Sequence, residues 1–167
     1  MAAAETHLAQ FTLWMRAQAF SDRTVKTYQR ILVRFFGYLQ ERGVQDLKDV
    51  TPSVVSQYQV YLSTQPGLKV AKLSLSTQHL MMTAVCCFFK AMVRESRLLF
   101  DPSSHIEFPR VRRNLPHTIL TFKEMDILLN TPNPEKPIEL RDKAILELFY
   151  SSGLRNSELR NLTVNDA

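Results

Sequence analysis

The stretch Ser21-Asp22-Arg23-Thr24-Val25-Lys26-Thr27-Tyr28-Gln29-Arg30-Ile31-Leu32-Val33-Arg34-Phe35-Phe36-Gly37-Tyr38-Leu39-Gln40-Glu41-Arg42-Gly43 decides the fold class of this 167-residue chain. Its apolar residues recur at Val25, Tyr28, Ile31, Leu32, Phe35, Phe36 and Leu39, the three-and-four spacing of an amphipathic helix. Gly43, just after Glu41-Arg42, stands where a helix closes on a left-handed residue. Arg23, Lys26, Arg30 and Arg34 share the opposite face, with no acidic partner at helical spacing after Asp22. A charged stripe is ordinarily a solvated face; the missing acids shift this one toward anion binding.

The helical pattern extends both ways. Upstream, Glu5 to about Gln18 forms a helix burying Leu8, Phe11 and Trp14. Downstream, Thr51 caps and Pro52 opens a helix through about Leu62, and Pro66-Gly67 turns the chain. Ser74 or Ser76 then caps a long helix with Leu80, Ala84, Phe88 and Met92 on one stripe and Met81 and Val85 beside it. These stripes are core. Leu98 to Ser104 ends that helix, and Phe108-Pro109-Arg110-Val111-Arg112-Arg113-Asn114-Leu115-Pro116 reads as an extended basic strap, because proline disfavours helix at and before its own position. Arg110, Arg112 and Arg113 suit phosphate contacts; a solubilising linker explains them equally well.

Beyond the strap, Thr121-Phe122-Lys123-Glu124 is a capping box opening a helix that buries Met125, Leu128 and Leu129, stopped by Thr131-Pro132-Asn133-Pro134. Leu140 to Tyr150 forms the next helix, with Ala144, Ile145, Leu148 and Phe149 inward. These two helices are expected to pack on each other, on the first domain or on a second copy. A glycine turn at Gly153 then leads into a short helix around Asn156 to Leu159.

Composition narrows the chemistry. Lys plus Arg number 21 against 16 Asp plus Glu, a net charge of +5. Residues 1–100 hold 12 basic and 6 acidic side chains, residues 101–167 hold 9 and 10, so the excess belongs to the first part. Four glycines, none clustered, exclude a glycine-rich phosphate loop. The two cysteines, Cys86 and Cys87, are adjacent, so an unstrained bridge is not expected and they read as small buried apolar residues of a reduced, cytoplasmic protein. Nothing suggests a zinc site, a membrane span or a signal peptide.

The run Leu140-Arg141-Asp142-Lys143-Ala144-Ile145-Leu146-Glu147-Leu148-Phe149-Tyr150-Ser151-Ser152-Gly153-Leu154-Arg155-Asn156-Ser157-Glu158-Leu159 resembles the first catalytic motif of the tyrosine recombinases, the phage-integrase family, and most of all its Xer-type members. Thr24-Val25-Lys26-Thr27-Tyr28 is similar to the start of the second helix of that family's core-binding domain. Asp101-Pro102-Ser103, Leu115-Pro116 and the Thr121 helix sit where the family connects its two domains. The resemblance implies an all-α chain: a four- to five-helix N-terminal core-binding, SAM-like bundle over residues 1–108, a basic linker over 109–118, and over 119–167 the first helices of a truncated catalytic domain.

It also implies a function in site-specific DNA recombination and integration. In that chemistry a tyrosine attacks a phosphodiester, forms a 3′-phosphotyrosyl link and is released when another strand is joined. No metal or nucleotide cofactor is implied. Arg155 matches the first catalytic arginine, whose planar guanidinium can donate two hydrogen bonds to the scissile phosphate; Arg155→Lys is expected to impair a complete enzyme severely. Glu158 matches the motif's acid and is expected to orient or cap Arg155 or its backbone; an acid in a helix's first turn accounts for it nearly as well. The later lysine, the His-x-x-Arg motif and the nucleophile are not found before Ala167, since His7, His79, His105 and His117 all lack Arg three positions on. The chain alone is therefore expected not to cleave DNA.

The implied partners are double-stranded DNA and other recombinase protomers, a tetramer on DNA, with no membrane. Lys26, Thr27 and Arg30 on one helix and Lys72, Gln78 and His79 at the start of another are the candidate major-groove residues, with Arg110, Arg112 and Arg113 following phosphates. The competing reading is a non-catalytic helical module that binds DNA or protein, with an unrelated helical adaptor as a third.

Overall fold

The computed structural model describes residues 2–67, 72–108 and 119–166. Among the described residues the regular elements are all helical: α1 (Ala2–Ala17), α2 (Asp22–Glu41), α3 (Pro52–Thr64), α4 (Leu75–Arg94), α5 (Phe122–Asn130), α6 (Pro137–Ser152) and α7 (Asn156–Leu159). One-turn 3₁₀ helices lie at Leu47–Asp49 and Val164–Asp166. The chain forms two compact units, Met1–Arg112 and Arg113–Ala167.

Local chemistry sets the ends of the helices in the first unit. Hydroxyl oxygens of Ser21, Thr51 and Ser74 accept the backbone N–H of Thr24, Val54 and Thr77, satisfying donors that the first helical turn leaves open. Ser74, and not Ser76, is the cap of α4. At the other ends, α1, α2 and α4 finish on one pattern. A left-handed residue, Ala19 (φ 57°), Gly43 (φ 73°) or Ser96 (φ 55°), turns the chain back. The next N–H then reaches a carbonyl five residues earlier: Phe20 to Met15, Val44 to Leu39 and Arg97 to Met92. Only Gly43 is legible in sequence, because Ala19 and Ser96 hold a conformation that costs an L-residue about 1–2 kcal/mol.

α1, α2 and α4 pack together, and α3 packs on α4. Phe35, fully buried, meets Tyr58 edge-on at 4.8 Å and Phe89 at 5.8 Å between ring centroids. Phe88 joins Phe11 (5.4 Å) and Phe36 (5.5 Å), so rings from all four helices form one aromatic centre. Tyr38, absent from the predicted stripe of α2, is buried against Tyr58 (4.8 Å), and the Arg42 guanidinium lies 4.0 Å over its ring. Trp14 and Leu8 are half-buried at the edge, while Met15 takes a fully buried place on α1. Cys86 is buried and Cys87 half-buried; both are free thiols, and burial raises their pKa values.

Two expectations about packing need correction. Leu80 is exposed, because the buried face of α4 is rotated toward Gln78, Met81, Met82, Val85 and Phe89. The second unit behaves differently from the first. α5 packs against α6, as expected, and the Thr121 box closes as predicted, with Glu124 accepting the Thr121 N–H at 2.8 Å. α6 begins at Pro137, three residues before Leu140, since proline is well suited to the first helical position. No residue of α5, α6 or α7 is buried. Met125, Leu129, Ile145 and Phe149 are half-covered, and Leu128, Ala144 and Leu148 are exposed. Two helices and a short turn supply too little surface to enclose these side chains.

Candidate functional site

The outer face of α2 carries Arg23, Lys26 and Arg30 in the open, with Thr27 half-buried between them. None of these cations forms an ion pair among the described residues, where the three ion pairs all lie between residues 136 and 158. The Thr27 hydroxyl donates to the Arg23 carbonyl at 2.8 Å and keeps its oxygen lone pairs as acceptors. One turn further, Arg34 donates through Nη2 to Gln65 Oε1 at 3.3 Å. Gln65 is the C-cap of α3, and its carbonyl accepts the Leu73 N–H at 2.9 Å. Leu73 is flanked by exposed Lys72 and by Ser74, the cap of α4. The chain Arg34–Gln65–Leu73 thus brings the cationic face of α2 and the start of α4 together.

Gln78 leaves the candidate interface. It is buried, and its Nε2 donates to the Leu73 carbonyl at 2.8 Å, so the amide holds the first turn of α4 instead of facing outward. His79 stays exposed, with its ring 4.8 Å from that of Phe108. A second contact reaches the same segment: Gln59 on α3 donates through Nε2 to the Glu107 carbonyl at 2.8 Å. Gln59, Gln65 and Phe108 were not predicted. No periodicity marks them, and their partners are distant in sequence. Arg110, Arg112 and Arg113 lie outside the described residues.

In the second unit, α6 ends on Gly153 in the left-handed conformation (φ 64°), and its N–H returns to the Phe149 carbonyl at 3.0 Å. Arg155 follows as the residue preceding α7. Glu158 holds it twice, Oε2 accepting the Arg155 backbone N–H and Oε1 accepting from Nη1, both at 2.8 Å. The backbone bond first and the guanidinium second hold the Glu158 carboxyl below its usual pKa. The Arg155 side chain is 81% exposed, and its Nε–Nη2 edge makes no hydrogen bond among the described residues. That edge is the planar two-donor fork that fits a phosphate. Tyr150 is exposed on the last turns of α6. Among the described residues, no group of three His, Cys, Asp or Glu could hold a metal ion, and no helix is long and apolar enough to cross a membrane.

Comparison with known proteins adds relatives to this geometry. Residues 8–96 match the phage integrase N-terminal SAM-like domain, and residues 118–167 match the phage integrase family. Tyrosine recombinase XerC 2 of Ralstonia nicotianae is 34% identical over 147 residues, covering 88% of this chain and 42% of that protein. Tyrosine recombinase XerD of Shewanella oneidensis is 35% identical over 152 residues, 91% of this chain and 48% of the relative. A crystal structure of XerA recombinase aligns over 98% of this chain and 52% of that one, with TM-score 0.46 and 22% identity. The chain spans about half the length of the curated relatives it matches.

Proposed function

The chain belongs to the phage integrase family, and on that premise we propose that it is the DNA-binding portion, with the first catalytic turn, of a site-specific tyrosine recombinase. Residues 1–108 would hold the duplex, 109–118 would connect, and 119–167 would begin the catalytic domain. One observation supports the reading: α2, whose Arg23, Lys26 and Arg30 are exposed without ion pairs among the described residues, is tied through Arg34 and Gln65 to Leu73, beside exposed Lys72 at the start of α4. Lys26, Thr27, Arg30, Lys72 and His79 are its DNA contacts, and Arg110, Arg112 and Arg113 extend it along the phosphates.

Arg155 supplies the chemistry this stretch can offer. In the complete reaction a tyrosine oxygen bonds to the scissile phosphorus while the 5′ oxygen departs and takes up a proton; a second 5′ hydroxyl later reverses the step. Negative charge grows on the non-bridging oxygens at each displacement. A guanidinium already oriented by Glu158 meets that charge without reorganising. This stretch binds duplex DNA. Further protomers assemble with it on the duplex, in the cytoplasm.

Fluorescence anisotropy with a labelled duplex tests the proposal. Affinity should fall as salt rises from ~50 to ~200 mM, and each lost phosphate contact removes about 0.9 from the log–log slope. Alanine at Arg110, Arg112 and Arg113 should therefore flatten the slope by up to about 2.7. Binding that is absent, or indifferent to salt, refutes the reading.

A further inference from the structure

Arg34 belongs to the basic stripe of α2 by spacing but not by surroundings. Residues four apart on a helix step about 40° around its axis, and Lys26, Arg30, Arg34 and Tyr38 are such a series. Lys26 and Arg30 are exposed, Arg34 is half-buried, and Tyr38 is buried against Tyr58 of α3. Arg34 therefore stands where α2 meets α3. Its Nη2 donates to Gln65 Oε1 at 3.3 Å, and its charge opposes the upward pKa shift that burial gives the Tyr58 hydroxyl. Leu73, across from Gln65, is held from three sides. Its N–H donates to the Gln65 carbonyl at 2.9 Å, its carbonyl accepts from Gln78 Nε2 at 2.8 Å, and its side chain packs on the core. Ser74, next in the chain, caps α4 by accepting the Thr77 N–H at 3.1 Å.

We infer that Arg34 is a positioning residue for the duplex-binding surface and not one of its phosphate contacts: through Gln65 and Leu73 it fixes the first turn of α4, with Lys72 and His79, against α2. This role rests on the DNA-binding reading; the tie itself does not. A duplex is stiff over the width of one small domain, so cations on two helices meet its phosphates together only while the helices keep one separation. A first turn of α4 that moved freely would have to be ordered on binding, at a cost in entropy. Gln65 suits the link because its two oxygens serve the two helices, the side-chain oxygen taking Arg34 and the backbone oxygen taking Leu73. Its amide is neutral, so the guanidinium is held without placing a carboxylate on a surface that attracts anions.

The test uses the 167-residue chain and two readouts. The first is hydrogen exchange at the Leu73 amide, which involves no DNA; the Phe35 amide in the core is the reference, so that a change in global stability cancels. Gln65→Ala and Arg34→Ala should each speed exchange at Leu73 roughly two- to tenfold over that reference, the worth of one hydrogen bond. Gln65→Glu keeps an acceptor for Arg34 and should exchange no faster than wild type. The second readout is duplex affinity against salt. Gln65→Ala changes no charge, yet it should weaken binding by about the same factor as Arg34→Ala, and the double variant should lose no more than either single one. The log–log slope should stay at its wild-type value in all three. Unchanged exchange at Leu73 overturns the tie. A slope flattened by about 0.9 in Arg34→Ala, with Gln65→Ala binding as wild type, makes Arg34 a phosphate contact and overturns the positioning role. Additive losses in the double variant overturn the action of Arg34 through Gln65. If the wild type shows no salt-dependent binding, the DNA reading falls and takes the positioning role with it, while exchange at Leu73 still decides the tie.

Discussion

Truncating Phe35 to alanine tests the helical phase on which the interface depends. Phe35 is fully buried and lies edge-on to Tyr58 at 4.8 Å and to Phe89 at 5.8 Å, so its removal leaves a cavity walled by rings from α3 and α4. Losses of this kind cost about 3–5 kcal/mol, a large share of the roughly 5–15 kcal/mol that holds a small domain together. With a urea dependence of about 2 kcal/mol per molar, the midpoint should fall by about 2 M. The assay is built into the chain. Trp14 is its single tryptophan, and it packs in the first unit against Phe11 at 5.8 Å and Phe20 at 6.1 Å. Its emission therefore follows that unit alone. Val33, on the same helix but 59% exposed, is the control; Val33→Ala should change stability by no more than about 0.5 kcal/mol. A Phe35→Ala midpoint within about 0.3 M of wild type would refute the reasoning. So would a Val33→Ala loss of equal size, because α2 would then be rotated and Lys26 and Arg30 would not face outward.

Other outcomes follow from single features. The Tyr58 hydroxyl is buried without a hydrogen-bond partner among the described residues, and burial drives its pKa well upward; Tyr58→Phe should raise stability by about 1 kcal/mol, read as a higher urea midpoint. Gly43 holds φ 73° with open space where a Cβ would sit, so Gly43→Ala should cost about 1 kcal/mol from backbone strain alone, and a neutral result contradicts the left-handed cap. The reverse exchange, Ala19→Gly at φ 57°, should stabilise by up to about 1 kcal/mol in the same assay. Glu158 should titrate below its ordinary value of 4.5 when followed by side-chain carboxyl NMR. Its folded-state pKa is depressed, so its contribution is present above 4.5 and is lost as pH falls through the lower folded value. A midpoint at or above 4.5 removes the bond to Arg155.

Much of the site was legible because its determinants are local. Thr51 and Thr121 announce their helices through a hydroxyl three residues before the N–H it accepts, and Gly153-Leu154-Arg155 marks a turn in which Glu158 lies one helical turn beyond the arginine. Periodicity likewise placed Val25, Leu32 and Phe35 inward and left Lys26 and Arg30 outward. It failed at Leu80 and Gln78. A long apolar helix such as α4 offers more than one plausible face, and only its neighbours choose among them.

The sequence by itself determined the helices, the Thr51 and Thr121 caps, the Gly43 turn, the cationic face of α2 and the turn that presents Arg155, since each depends on residues within about one or two helical turns. Tertiary structure alone decided that Gln78 points inward, that Arg34 and Gln65 join α2 to α4, and that Gln59 and His79 meet Glu107 and Phe108. Those contacts join residues brought together by helix packing, 31 positions apart for Arg34 and Gln65 and 48 for Gln59 and Glu107. Spacing along a chain reports which face of a helix is apolar; it carries no record of which other helix will lie across it.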